Sequence, residues 1–212
     1  MDDNRRPIKS RSNRMILAIA GRLARSTVTP NQVSAASALF AAIGAAALLH
    51  EDSQWGMLVA IACIQVRLLC NVLDGLVAIE GGKKSAVGAL YNEFPDRIAD
   101  SLLLVAAGYG AGQPSLGWAA ALFAALTAYV RVFGGSVGLP QRFMGPMAKQ
   151  HRMALLTLAC AANMAETALH YRHFCMPVAL TLIAAGSAIT CVTRTRAMVR
   201  ELHHGNEGDG HA

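Results

Sequence analysis

The chain has 212 residues, of which 54% are apolar and only 15% charged, with a formal net charge of +6 and a mean hydropathy of +0.37. A soluble domain carries about 25% charged residues, so a soluble fold fits poorly, and the apolar fraction excludes disorder. Five cysteines with no CxxC pair and no zinc spacing exclude a disulfide or zinc scaffold. Few aromatics and many alanines and glycines suit helices that approach closely in lipid. An all-α integral membrane protein is expected.

In chain order, residues 1–30 form a basic arm. Within it, Asn13 to Arg25 place Met15, Ile16, Ile19 and Leu23 on one helical face, with Arg14, Arg22 and Arg25 around the other. That pattern predicts an amphipathic helix in the headgroup layer. The rival, a signal peptide, is disfavoured because the run Met15–Ala20 is short for an h-region. Residues 31–200 form the membrane domain, with six stretches near the 20-residue length of a spanning helix: Val33–Leu49, Trp55–Ile79, Ala89–Ala111, Leu116–Val137, Met153–Leu169 and Phe174–Val192. Residues 201–212 form a polar, glycine-rich tail, expected to be disordered. Fifteen of the 19 Lys and Arg fall in the arm and in the loops and terminus on its side, and only Arg172 falls in the opposite loops. Both termini are therefore predicted to face the cytoplasm in a multi-pass protein of the inner (cytoplasmic) membrane. No nucleic-acid partner is expected.

Ionisable groups at membrane depth are costly and mark functional sites. Here they concentrate in the second and third spans. Asn71 and Asp74 are three apart and share a helical face; Asn92, Asp96 and Asp100 follow at intervals of four, with Glu93 at the edge of their stripe. The short connection EGGKKSAV makes the two spans antiparallel neighbours whose polar stripes can meet at the cytoplasmic end. Clustered carboxylates repel unless a cation holds them, and Mg2+ or Mn2+ is the natural one where phosphate is a co-ligand. Such a site suits phosphoryl transfer, and Gly75, Ala78 and Gly88 would let a phosphate-bearing ligand approach the backbone. The alternatives at this point are a proton relay or an ion-pair network with Arg67, Arg97 and Arg131.

The run from Asn71 to Asp96 resembles the signature of the CDP-alcohol phosphotransferase (CDP-alcohol phosphatidyltransferase) family, D-x2-D-G-x2-A-R-x8-G-x3-D-x3-D. Every spacing is kept, with identity at Asp74, Gly75, Ala78, Gly88 and Asp96. Asn71 and Asn92 replace aspartates and Ile79 replaces arginine. Thr29-Pro30-Asn31 is similar to the segment that opens the family's core, and Gly145 to Arg152 to its basic, phosphate-holding segment. A branch of the family carries the same asparagines.

The resemblance implies six transmembrane helices after an interfacial helix, and transfer of a substituted phosphate from a CDP-linked donor, CDP-diacylglycerol foremost, to an alcohol acceptor, with release of CMP in phospholipid biosynthesis. It implies Asp74 and Asp96 as ligands of Mg2+ or Mn2+, Asn71 and Asn92 as neutral ligands, and Asp96 as the base for the acceptor hydroxyl. Gly75, Ala78 and Gly88 would pack on the nucleotide, and Arg131, Lys149 and Arg152 would clamp anions. Membrane lipids and a second copy, in a homodimer, are the implied partners. Because two aspartates are missing, Glu93 or Asp100 is expected to substitute as an anionic metal ligand; the alternative for Glu93 is an ion pair with Arg97. A transporter or proton relay, or a catalytically silent protein of the same fold, are the competing readings.

Overall fold

The structure, a computed structural model, describes residues 14–83, 87–141 and 143–209, without the side chains of Ala89, Asn92 and residues 204–209. Arg5, Arg6, Lys9, Arg11, Lys84 and Arg142, which entered the topology argument, lie outside the described residues. Among the described residues there are seven helices and no strand: α1 (Arg14–Ala24), α2 (Pro30–Leu48), α3 (Gln54–Glu80), α4 (Gly88–Gly110), α5 (Pro114–Ser136), α6 (Lys149–Ala168) and α7 (Cys175–Asp209).

Local chemistry sets several helix ends. At α2, the Thr29 hydroxyl accepts from the Gln32 amide at 3.3 Å while Gln32 Oε1 accepts from the Thr29 amide at 3.0 Å. This reciprocal capping box, with Pro30 pre-set in the first turn, gives Thr29-Pro30-Asn31 a structural reason. Ser53 caps α3 through the Gly56 amide at 3.0 Å. Lys83 Nζ donates to the carbonyls of Ser26 and Val28 at 2.6 and 3.0 Å, tying the end of α3 to the α1–α2 connection.

Helices α2 to α7 close into a ring in the spatial order α2, α3, α6, α7, α5, α4 and back to α2. One half of the ring is filled by aliphatic side chains, among them Ala41, Leu48, Met57, Ile64, Leu103, Leu156, Leu180 and Ile183. The α4–α5 crossing depends on glycine: a Cβ added to Gly117 would lie 2.8 Å from the Leu104 carbonyl oxygen and 2.9 Å from Gly108 Cα. Backbones can touch there only without side chains.

Four helical stretches are long and apolar enough to cross a membrane: Pro30–Leu48, Gln54–Glu80, Pro114–Ser136 and Cys175–His203. The protein is thus an all-helical membrane protein. Helices α4 and α6 have 23 and 20 residues, comparable lengths, but carry the charged residues of the polar cluster.

Two expectations need correction. First, α3 and α4 do not pack backbone to backbone; α2 packs against both, and long side chains join them across the interior. A column of charged and amide groups between two helices keeps their axes apart. Second, the apolar face of α1 is not left to lipid alone: Ile16, Ile19, Ala20 and Leu23 pack on a cluster with Val33, Leu73 and Leu76, whereas Met15 stays exposed. Helix α7 runs on to Asp209, and residues 210–212 of the tail lie outside the described residues.

Candidate active site

The polar cluster collects at the end of the ring where α3 finishes and α4 and α6 begin. On α3, Asp74 is buried and its Oδ2 accepts from the Ser34 hydroxyl at 2.7 Å. Asn71, one turn earlier, accepts at Oδ1 from the Ser37 hydroxyl at 2.9 Å, while its Nδ2 is buried without a partner. Ser34 and Ser37, three apart on α2, therefore orient the two signature residues of α3. Sequence reasoning passed over both, although that spacing in an apolar helix was a usable signal.

On α4, Asp96 Oδ2 lies 2.6 Å from Lys149 Nζ at the start of α6, and its Oδ1 lies 3.7 Å from Arg67. Asp74, Asp96 and Lys149 fall within electrostatic range of one another. The two carboxylates that match the signature thus lie on different helices within electrostatic range of each other. Gly75 and Ala78 are half-buried on α3 beside Asp74, and Gly88 opens α4. Asn92 sits on α4 one turn before Asp96, but its side chain lies outside the described residues.

The two expected substitute ligands are placed elsewhere. Asp100 is 2% exposed, with Oδ1 on Arg67 Nη2 at 2.5 Å and Oδ2 on Arg152 Nη2 at 2.8 Å. Both its oxygens are used by guanidinium groups, and a buried carboxylate is held ionised only by such pairing. Glu93 pairs with Arg97, as the alternative reading had it, and also takes Arg131 Nη2 on both oxygens at 2.6 and 2.8 Å. Neither presents an unengaged carboxylate to a metal.

The expected anion clamps separate in the same way. Arg152 is 2% exposed and donates to Asp100, to the Met147 carbonyl at 3.1 Å and to Thr127 Oγ1 at 3.4 Å. Its guanidinium is enclosed by the chain and joins α6 to α4. Arg131 bonds Gln141 as well as Glu93, and lies 5.3 Å over the Phe143 ring. Lys149, less enclosed, faces Asp96. The α5–α6 connection that delivers Lys149 is pinned from α7: Arg194 donates to the Met144 and Thr127 carbonyls at 2.9 and 2.5 Å, and Thr190 Oγ1 accepts from the Met147 amide at 3.0 Å.

Asp74, Asp96 and the amide oxygen of Asn71 are hard oxygen donors of the kind Mg2+ and Mn2+ take, so the residues present fit such an ion. The five cysteines are free.

Comparison with known proteins shows the family and the fold. The family model described as CDP-alcohol phosphatidyltransferase matches residues 27–192. The phosphatidylinositol phosphate synthase of Streptomyces avermitilis is 25% identical over 197 residues, covering 89% of this chain and 79% of the relative. The archaetidylinositol phosphate synthase of Aeropyrum pernix is 26% identical over 186 residues, covering 88% of this chain and 89% of the relative. Among solved structures, the Mycobacterium tuberculosis phosphatidylinositol phosphate synthase with CDP-DAG bound superposes with a TM-score of 0.71 at 20% identity, covering 88% of this chain and 94% of that one. The same enzyme with manganese and citrate gives a TM-score of 0.69 at 19% identity, covering 86% of this chain and 88% of that one. The chain belongs to the CDP-alcohol phosphatidyltransferase family, the membrane transferases that move a substituted phosphate from a CDP-linked donor to an alcohol in phospholipid synthesis.

Proposed function

We propose that the donor is CDP-diacylglycerol, that Asp96 is the catalytic base, and that the site opens on the cytoplasmic face of a six-span bundle carrying α1 in the headgroup layer. The observation that carries this reading is Asp74 and Asp96 within electrostatic range of each other, with Lys149 on Asp96, at the end of the bundle that also holds Arg25 and Lys83. The CDP-DAG-bound mycobacterial structure supports the donor. The basic side chains at that end support the orientation.

In this reading the acceptor hydroxyl lies against Asp96, whose carboxylate Lys149 holds in place at 2.6 Å. The acceptor oxygen bonds to the lipid-bearing phosphorus as the bond from that phosphorus to the CMP oxygen breaks. CMP departs with the electron pair and the hydroxyl proton passes to Asp96. Mg2+ or Mn2+, held by Asp74 with Asn71 beside it, would supply positive charge to the diphosphate; the manganese complex of the mycobacterial enzyme supports that choice. Gly75, Ala78 and Gly88 leave room for the nucleotide along α3 and α4. Lys149, held on Asp96, would present its remaining N–H groups to a phosphate oxygen. Arg152 and Arg67 keep Asp100 paired and the α3–α4–α6 frame rigid.

Lipid extracts of membranes from cells expressing the chain test this. A phospholipid absent from cells expressing Asp96→Asn is expected; identical lipid profiles with comparable protein levels would refute the reading.

A further inference from the structure

The charge balance of the site bears on how many divalent ions it holds. Two-ion phosphoryl-transfer sites need several carboxylates, some of them bridging both ions. Here the positions of Asn71 and Asn92 are neutral, so two negative charges are missing relative to the four-aspartate signature. With Lys149 counted beside Asp96, one divalent ion already brings this set to about +1, and a second would take it to about +3.

The geometry agrees. Glu93 and Asp100, which could replace the missing charge, are neutralised by Arg97 and Arg131 and by Arg67 and Arg152. Asp96 cannot bridge two ions while Lys149 occupies Oδ2 at 2.6 Å and Arg67 stands 3.7 Å from Oδ1. Among the described residues, no three His, Cys, Asp or Glu side chains converge as a metal cage. Asp74 differs: its Oδ2 accepts from a neutral hydroxyl, that of Ser34, at 2.7 Å, and a hydroxyl orienting a carboxylate is compatible with ligation by that carboxylate.

We infer that this chain binds one divalent ion, on Asp74 and the neighbouring Asn71, and that the Lys149 ammonium stands on Asp96 where a second ion would otherwise sit. Asp96 is thereby kept out of the metal's coordination and left to the acceptor. Lys149 is a positioning residue that replaces an exchangeable cation with a fixed one. The inference deepens the transferase reading and rests on it for the site's purpose.

The test is Mn2+ binding to the purified full-length protein in detergent, followed by electron paramagnetic resonance and titration, with Mn2+ alone as the probe. Wild type is expected to take up one ion per chain without a coupled-pair spectrum. Asp74→Asn should weaken binding at least tenfold, and Asp96→Asn by less than threefold. Lys149→Met should admit a second ion, and Lys149→Arg should keep the count at one, as a merely structural lysine would not require. A coupled pair or no ion in wild type, equal losses in Asp74→Asn and Asp96→Asn, or a Lys149→Met curve superimposable on wild type would each overturn the inference. Should Lys149→Met not fold, by its thermal transition, the wild-type count and the two aspartate variants decide. CMP release is read separately, so a protein that binds one ion yet makes no lipid refutes the transferase reading alone.

Discussion

Arg67 offers the sharpest perturbation of the frame that carries the site. It is 0% exposed, places Nη2 2.5 Å from Asp100 Oδ1 and 3.3 Å from the Asp96 carbonyl oxygen, and sends Nη1 to Met153 Sδ at 3.1 Å. One side chain therefore crosslinks α3 to α4 and touches α6. Arg67→Met keeps the length and apolar stem but removes the charge, leaving Asp100 with Arg152 alone. Removing one partner of a buried ion pair costs about 3–5 kcal/mol because the other charge stays buried. In a chain of this size each kcal/mol shifts the transition by about 2–4 °C, so a fall of about 6–20 °C is expected for the purified protein in detergent. The double variant Arg67→Met/Asp100→Asn should recover part of that loss, with a coupling of about 1 kcal/mol or more. A shift under about 2 °C, or strictly additive single effects, would refute the assignment of Arg67 as the crosslink.

Three more outcomes follow from the geometry. Gly117→Ala should destabilise the α4–α5 crossing by about 1–3 kcal/mol, because its Cβ would meet the Leu104 carbonyl oxygen at 2.8 Å; an unchanged melting transition would contradict it. Burial raises the Glu51 carboxyl above its ordinary value of 4.5, with His173 opposing, in the loop between α2 and α3. A raised folded-state value means the ionised form is disfavoured on folding, so this group's penalty is absent well below pH 4.5 and grows as pH rises through the folded-state value. Glu51→Gln should flatten that slope, and a pH–stability curve identical to wild type would argue against it. Reporter fusions at Asp52, Ser115 and Tyr171 should read as external and one near Lys149 as internal; an external reading at Lys149 would invert the proposed orientation.

What was legible in the sequence was whatever depends on local pattern. Apolar runs gave the helices, and the i, i+4 spacing of Glu93 and Arg97 their ion pair. The signature spacing brought Asp74 and Asp96 to one place because it counts turns on two consecutive helices. Contacts that depend on the relative rotation of distant helices were not legible. Asp100 meets Arg67 and Arg152 across 33 and 52 residues of chain, and nothing local distinguishes that carboxylate from Asp96 four residues earlier. The insertion of α2 against both α3 and α4 was hidden for the same reason, and with it the roles of Ser34 and Ser37.

The central claim, that this chain moves a phosphatidyl group using Asp96 as base, is tested most directly by CMP release. Purified protein supplied with CDP-diacylglycerol, Mg2+ or Mn2+ and a panel of alcohol acceptors should form CMP in equal amount with one new phospholipid. Formation should stop when the divalent ion is chelated and in Asp96→Asn. Equal CMP release by Asp96→Asn, or none by folded wild type with any acceptor, would contradict the account.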